Sequence, residues 1–241
     1  MNYLRLVPHE VRKILKTKLK KKMGMPDTIL SLQRLKAIGF CPKYAIDVGA
    51  YIGEFTLMFK KVFTETRVLM IEPQIAKKAI LENVCAKYPD CQYRLALAGA
   101  EKKDNVHFLL EESNSRIFTQ AEAGRDGIIL EQVKLDDIVK DGAFVSPEFL
   151  KIDVQGYELE VIKGASGILN NVEVILMEVS LIPIGGAPLL FDVVKFMDER
   201  GFRLYDICHF IYRPLDGALW QIDVIFVKKT SFLVASNKWI Q

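Results

Sequence analysis

Acidic side chains set in apolar strands, and glycines at a strand-to-helix corner, are the residues of this chain best suited to chemistry. The run Ala45-Ile46-Asp47-Val48-Gly49-Ala50-Tyr51-Ile52-Gly53-Glu54 leads into helical spacing from Phe55 to Phe63, so it predicts a strand, a tight glycine turn and a helix. Such a corner turns backbone N–H groups and a positive helix end toward an anionic or strongly polar ligand. Glu72 follows Gly49 by 23 positions and ends an apolar run, Arg67 to Ile71. That is close to the separation of about 20 at which a carboxylate meets ribose hydroxyls in nucleotide-binding α/β folds. Asp153 sits between Ile152 and Val154 in the strand pattern beginning at Phe149, and an acid buried in a strand must be paired or functional. Glu178, near the carboxyl end of Val172 to Val179, repeats that placement. Glu158 opens the helix after Gly156, where the helix dipole favours a carboxylate.

The spacing at the corner selects among cofactors. A dinucleotide fingerprint needs G-x-G-x-x-G, and Tyr51 stands where its second glycine would be. Asp47 is suited to accept from an ammonium group, such as the amino-acid end of S-adenosylmethionine offers. The expected ligand is therefore a nucleoside cofactor without a pyrophosphate. An NAD(P)-dependent oxidoreductase on a similar sheet, and a catalytically inactive binding protein, are the alternatives.

These residues need a scaffold, and the strand and helix patterns alternate to supply one. Helical spacing in residues 1–40 is split by Gly24 and Pro26, with Asp27 or Thr28 placed to cap the second helix. Lysines 16, 18, 20, 21 and 22 form a basic cluster, read as a solvated helix face or a weak peripheral contact with anionic membrane. Ile75 to Tyr88 reads as a helix and Cys91 to Ala98 as a third strand, with Leu97 at its carboxyl end as an adenine-side contact. Val106 to Leu110 and Ile128 to Val133 read as short strands flanking a polar insert that holds Ser113 to Arg116. Pro188 to Glu199 reads as an amphipathic helix closed by Gly201; Phe202 to Ile207 and Gln221 to Val227 as terminal antiparallel strands joined by a long connection, Cys208 to Trp220. The alternation argues an α/β doubly wound sheet with right-handed crossovers. The expected division is a helical extension over 1–40, a catalytic domain over 41–230 and a tail over 231–241.

Bulk composition narrows the classes. A chain of 241 residues, half of them hydrophobic, can bury a full core as one domain, and a net charge of +3 gives no reason to propose a nucleic-acid partner. Cys41, Cys85, Cys91 and Cys208 form no C-x-x-C pair, which indicates neither a zinc site nor a disulfide framework. With no apolar run of membrane-spanning length and no signal core, a cytoplasmic protein is expected.

Six segments in order, IDVGAYIGEFT (46–56), IEP (71–73), LALAG (95–99), FLKIDVQGYELEVIKGA (149–165), ILMEVS (175–180) and IDVIFVK (222–228), resemble the FkbM family of S-adenosylmethionine-dependent methyltransferases. The resemblance implies a mostly parallel, seven-stranded Rossmann-like methyltransferase sheet. It implies Asp47, Gly49, Ala50, Tyr51 and Gly53 around the methionine part of the cofactor, Glu72 on the ribose, and Asp153 with Gln155 beside the transferred methyl. It further implies a hydroxylated small-molecule or glycan acceptor, and the family usually has asparagine at the position of Tyr51. Transfer to a hydroxyl calls for a general base, for which Asp153, then Glu178, then Glu158 are the candidates, with His209 in the late loop as an outsider. A divalent metal gathering acceptor hydroxyls is compatible with clustered carboxylates, though no ligand set can be read.

Overall fold

The computed structural model describes residues 24–110, 116–117, 127–140, 144 and 146–239. The basic cluster at residues 16–22 and most of the polar insert lie outside these. Helix α1 (Thr28–Ala37) begins where Asp27 caps it, Oδ1 accepting from the Leu30 N–H at 3.2 Å. Its Leu32 and Leu35 are buried in the same core as the sheet.

Seven strands build the main sheet: β1 (Tyr44–Val48), β2 (Arg67–Glu72), β3 (Cys91–Leu95), β8 (Phe149–Ile152), β9 (Val174–Ser180), β10 (Phe202–Tyr212) and β11 (Leu219–Lys228), while β4 (Leu97–Gly99), β5 (Lys103–Leu109), β6 (Arg116–Ile117) and β7 (Gly127–Lys134) form a second sheet. The spatial order is β10-β11-β9-β8-β1-β2-β3. The chain leaves β1 toward β2 on one side and later returns to place β8 on the other, so a crevice opens at the carboxyl ends of β1 and β8, where ligands of open α/β sheets lie. Helices cover both faces. One core packs Leu135 and Ile138 of α4 (Leu135–Lys140), Val161 of α5 (Glu158–Lys163) and Val193 of α6 (Leu190–Glu199) on the sheet. The other packs α1, Phe59 of α2 (Glu54–Lys60) and Leu81 of α3 (Lys78–Lys87) around Phe149. The doubly wound expectation holds because β8 and β9 are buried at every position, as strands sandwiched between helix layers must be.

Two expectations need correction. The segment 91–98 is not one strand: β3 ends at Leu95, Ala96 donates its N–H to the Glu72 carbonyl at 3.1 Å, and Leu97–Gly99 (β4) enters a second sheet. That sheet, in the order β4-β7-β5-β6, pairs Lys103–Leu109 (β5) with Gly127–Lys134 (β7) and with Arg116–Ile117 (β6). The terminal strands are antiparallel as expected, β10 to β11 and β11 to β9, so β10 again points with the parallel strands. The late connection is also short. Strand β10 continues to Tyr212 and the turn closes by the Arg213 to Asp216 ion pair, which puts Cys208 and His209 in a strand rather than a loop.

Candidate active site

The corner after β1 is pinned to β2. The N–H groups of Gly49 and Ala50 both donate to the Ile71 carbonyl, at 3.0 and 3.1 Å, that of Tyr51 donates to Glu72 Oε2 at 2.9 Å, and that of Gly53 to the Ala50 carbonyl at 2.7 Å. The N–H groups of residues 49, 50, 51 and 53 are therefore already engaged within the protein. Only glycine fits at 49: φ is +76°, and a Cβ there would lie 1.8 Å from the Asp153 carbonyl oxygen. That close approach brings the β1 and β8 ends together. Tyr51 has φ +49°, a region in which asparagine and glycine are more at ease than an aromatic residue, and its ring lies under the Lys77 ammonium, 4.2 Å from the centroid. Tyr51→Asn is expected to raise stability by up to about 1 kcal/mol by relieving this strain, read as a higher urea midpoint. A lower midpoint would show that the ring's contacts outweigh the backbone cost.

A cavity of about 360 Å³ opens over this corner, large enough for a nucleoside-sized ligand. Gly49, Ala50, Tyr51, Glu72, Leu97, Asp153, Gln155 and Glu178, all singled out from sequence, line it together. Glu72 stands at one side, its Oε1 accepting from the Gln74 N–H at 3.0 Å; burial pushes its carboxyl above the ordinary range, opposed by the two backbone donors.

Three other expected residues serve the frame instead. Gly53 supports α2 at φ +75°, where a Cβ would meet Val84 at 2.9 Å. Glu158 faces inward and accepts from the N–H groups of Val154 and Gly156 at 3.2 and 3.0 Å, closing the turn after β8; burial pushes its carboxyl up to about 7. Asp47 is fully buried beneath the cavity, accepting from Thr56 Oγ1 at 2.8 Å, with Oδ1 3.2 Å from the Lys151 ammonium. The ammonium that Asp47 meets thus comes from the protein itself.

Lys151 is the residue that sequence reasoning passed over. Its ammonium donates to the Gly49 carbonyl at 2.9 Å and lies 3.5 Å from Asp153 Oδ2, so one buried cation ties the corner, Asp47 and Asp153 together. Burial alone would discharge it, but the two carboxylates outweigh burial and hold its pKa above the ordinary lysine value. A lysine between Leu150 and Ile152 carries the same signal that flagged Asp153. Strand register shows the rest. Asp47 and Lys151 are paired across β1 and β8, and one pleat further along Glu178 pairs with Asp223 and Asp223 with His209. Gln155, at φ +55°, donates its Nε2 to Asp153 Oδ1 at 3.0 Å and to Glu178 Oε1 at 3.1 Å, and Gln221 Nε2 donates to the same Glu178 oxygen at 2.7 Å. Among the described residues, no group of three or more His, Cys, Asp or Glu side chains is arranged to hold a metal ion.

Residues 47–204 match the family described as the methyltransferase FkbM domain. This chain belongs to the FkbM methyltransferase family. A curated relative, the hexuronic acid methyltransferase AglP of Haloferax volcanii, is 36% identical over 64 residues, which is 27% of this chain and 25% of that protein. The match therefore spans a quarter of the relative's length. Among solved structures, the N-methyltransferase NodS of Bradyrhizobium japonicum in complex with S-adenosylhomocysteine aligns at TM-score 0.50 and 8% identity, covering 83% of this chain and 85% of that one. The magnesium protoporphyrin IX methyltransferase of Synechocystis PCC 6803 aligns at TM-score 0.49 and 10% identity, covering 92% and 85%. The FkbM match begins at Asp47 and takes in the corner, Glu72, Asp153 and Glu178, but ends before Gln221 and Asp223. No helix among the described residues is long and apolar enough to cross a membrane.

Proposed function

We propose that this protein transfers a methyl group from S-adenosylmethionine to a hydroxyl oxygen of a sugar, glycan or other hydroxylated natural product. The observation that carries the reading is one cavity in which the glycine corner and Glu72 stand on one side and Asp153 and Glu178 on the other. The donor set fits this cofactor. Glu72 can accept from two ribose hydroxyls, and Leu97 offers an apolar wall to the adenine. The corner has its N–H groups at 49 to 51 engaged, which suits a cationic sulfonium better than a pyrophosphate and counts against a dinucleotide. When bound, the cofactor supplies an electrophilic methyl on sulfur.

The chain's own residues do the rest. Asp153, held by Lys151 and Gln155, accepts the proton of the acceptor hydroxyl, and the walls keep that oxygen in line with the methyl, alignment being a large share of such a rate. A relative named for a hexuronic acid supports a sugar-type acceptor. Incubation with S-adenosylmethionine and a panel of glycans and hydroxylated metabolites, read by mass spectrometry, should yield a product heavier by one methyl together with S-adenosylhomocysteine. Calorimetry showing binding of NADH but not of S-adenosylmethionine would reverse the reading. Glu72→Gln is expected to weaken S-adenosylmethionine by about 1 to 3 kcal/mol, the range for a lost charged hydrogen-bond acceptor. Unchanged affinity would remove Glu72 from the ribose.

A further inference from the structure

We propose that the row formed by Asp153, Glu178, Asp223 and His209 reads the charge on the cofactor's sulfur, so that the protein holds the sulfonium S-adenosylmethionine more tightly than the neutral thioether S-adenosylhomocysteine. The inference rests on the reading that the cavity takes this cofactor with its methyl end toward Asp153.

The row is a product of register. Glu178 on β9, Asp223 on β11 and His209 on β10 are successive cross-strand partners, and the Gln155 amide bridges Asp153 Oδ1 and Glu178 Oε1. Cross-strand partners have Cβ atoms about 4.5 to 5.5 Å apart, so the row concentrates acid along one side of the cavity, which Asp153, Glu178 and Asp223 all line. The buried cation beside it is shared. Lys151 is shared among Asp47, Asp153 and the Gly49 carbonyl, and His209, half exposed, has its Nδ1 3.7 Å from Asp223 Oδ2. Lys151 is one ammonium set against Asp47 and Asp153, with Asp223 lining the same cavity, so a sulfonium entering this space meets more carboxylates than that cation can neutralise. Once the methyl–sulfur bond breaks and sulfur keeps the electron pair, the attraction to the row disappears and the product is released more readily.

The groups facing Asp223 are Asp153 and Lys151 at the end of β8, Glu178 on β9 and His209 on β10, with Glu158 of α5 behind Glu178. Burial and then Asp153 push Asp223 up to about 6, opposed by His209 and Lys151. Burial and then Asp153 and Asp223 push Glu178 up to about 9. Of the two, Glu178 is the more readily protonated partner, and Asp223 is the member that changes charge near pH 6. Because its pKa is raised, Asp223 is ionised above about pH 6 and is neutralised as the pH falls through that value. The preference for the sulfonium is thus strong at pH 8 and weakens toward pH 5.

Isothermal titration of the full chain with S-adenosylmethionine and with S-adenosylhomocysteine at pH 5, 6.5 and 8 tests this. The expected result is a sulfonium preference of roughly tenfold or more at pH 8, between what one charge pair about 4 Å apart gives in bulk water and near a protein surface, falling severalfold by pH 5. By linkage, the sulfonium compound should also displace a proton near pH 6 where the thioether does not, seen as a buffer-dependent heat. Asp223→Asn should lower the preference at pH 8 and flatten its pH dependence. Equal or tighter binding of the thioether at pH 8, or a ratio that does not move with pH, overturns the inference while leaving the cofactor reading intact. Binding of neither compound at millimolar concentration overturns the cofactor reading and this one with it. The unsubstituted chain alone decides among these outcomes, so a variant that fails to fold does not remove the test.

Discussion

Replacing Asp153 with asparagine is expected to lower the rate of methyl transfer by roughly 10²- to 10⁴-fold, the contribution of a positioned general base, with the fold retained. Asparagine keeps the volume and can still bond Gln155, whose Nε2 lies 3.0 Å from Oδ1, but it cannot take a proton. Lys151 keeps Asp47 and the Gly49 carbonyl as partners after the change, so its charge is not stranded. The loss should fall on kcat, with S-adenosylhomocysteine affinity and the unfolding midpoint close to those of the parent chain. Turnover within a few-fold of the parent, measured on the acceptor found by mass spectrometry, would move the base to Asp223.

Lys151→Met carries the second large effect, about 3 to 5 kcal/mol of stability, the usual cost of breaking a buried ion pair by removing one partner. Asp47 would remain fully buried with Thr56 Oγ1 as its remaining donor, and Oδ1, which the ammonium faces at 3.2 Å, would have no countercharge. The Gly49 carbonyl would lose its donor at the same moment, loosening the corner. Urea denaturation measures the loss, and Asp47→Asn combined with Lys151→Met should recover part of it, since the double variant buries no unpaired charge. A single Lys151→Met variant within about 1 kcal/mol of the parent would show that this cation does not hold the corner together.

The site was legible to differing depths. Gly49 and Glu72 were readable because a tight turn and an acid at a strand end leave marks in residue type and spacing. The cavity role of Asp153 and Glu178 followed from burial chemistry: an acid in an apolar strand has few structural uses. The same logic applied to Lys151 and to Asp223, which sit in runs as apolar as those around Asp153, yet neither can be assigned a partner along the chain. The segment 91–98 misled because its apolar run continues through Ala96, and nothing local records that the hydrogen bonds change sheet there. His209 was misplaced for a similar reason: Pro214, Asp216 and Gly217 mark the turn, but how far β10 runs before it depends on the pairing with β11.

By itself, then, the sequence determined the alternation of strands and helices, the glycine corner, the acids at strand ends and the FkbM family, all of which follow from residue type at short separation. Tertiary structure alone decided that Asp47 meets Lys151, that Glu158 closes a turn, that Gln155 bridges Asp153 and Glu178, and that Glu178, Asp223 and His209 are successive cross-strand partners. Cross-strand partnership is set by register between segments tens of residues apart, and register is fixed by how the two cores pack on either face of the sheet.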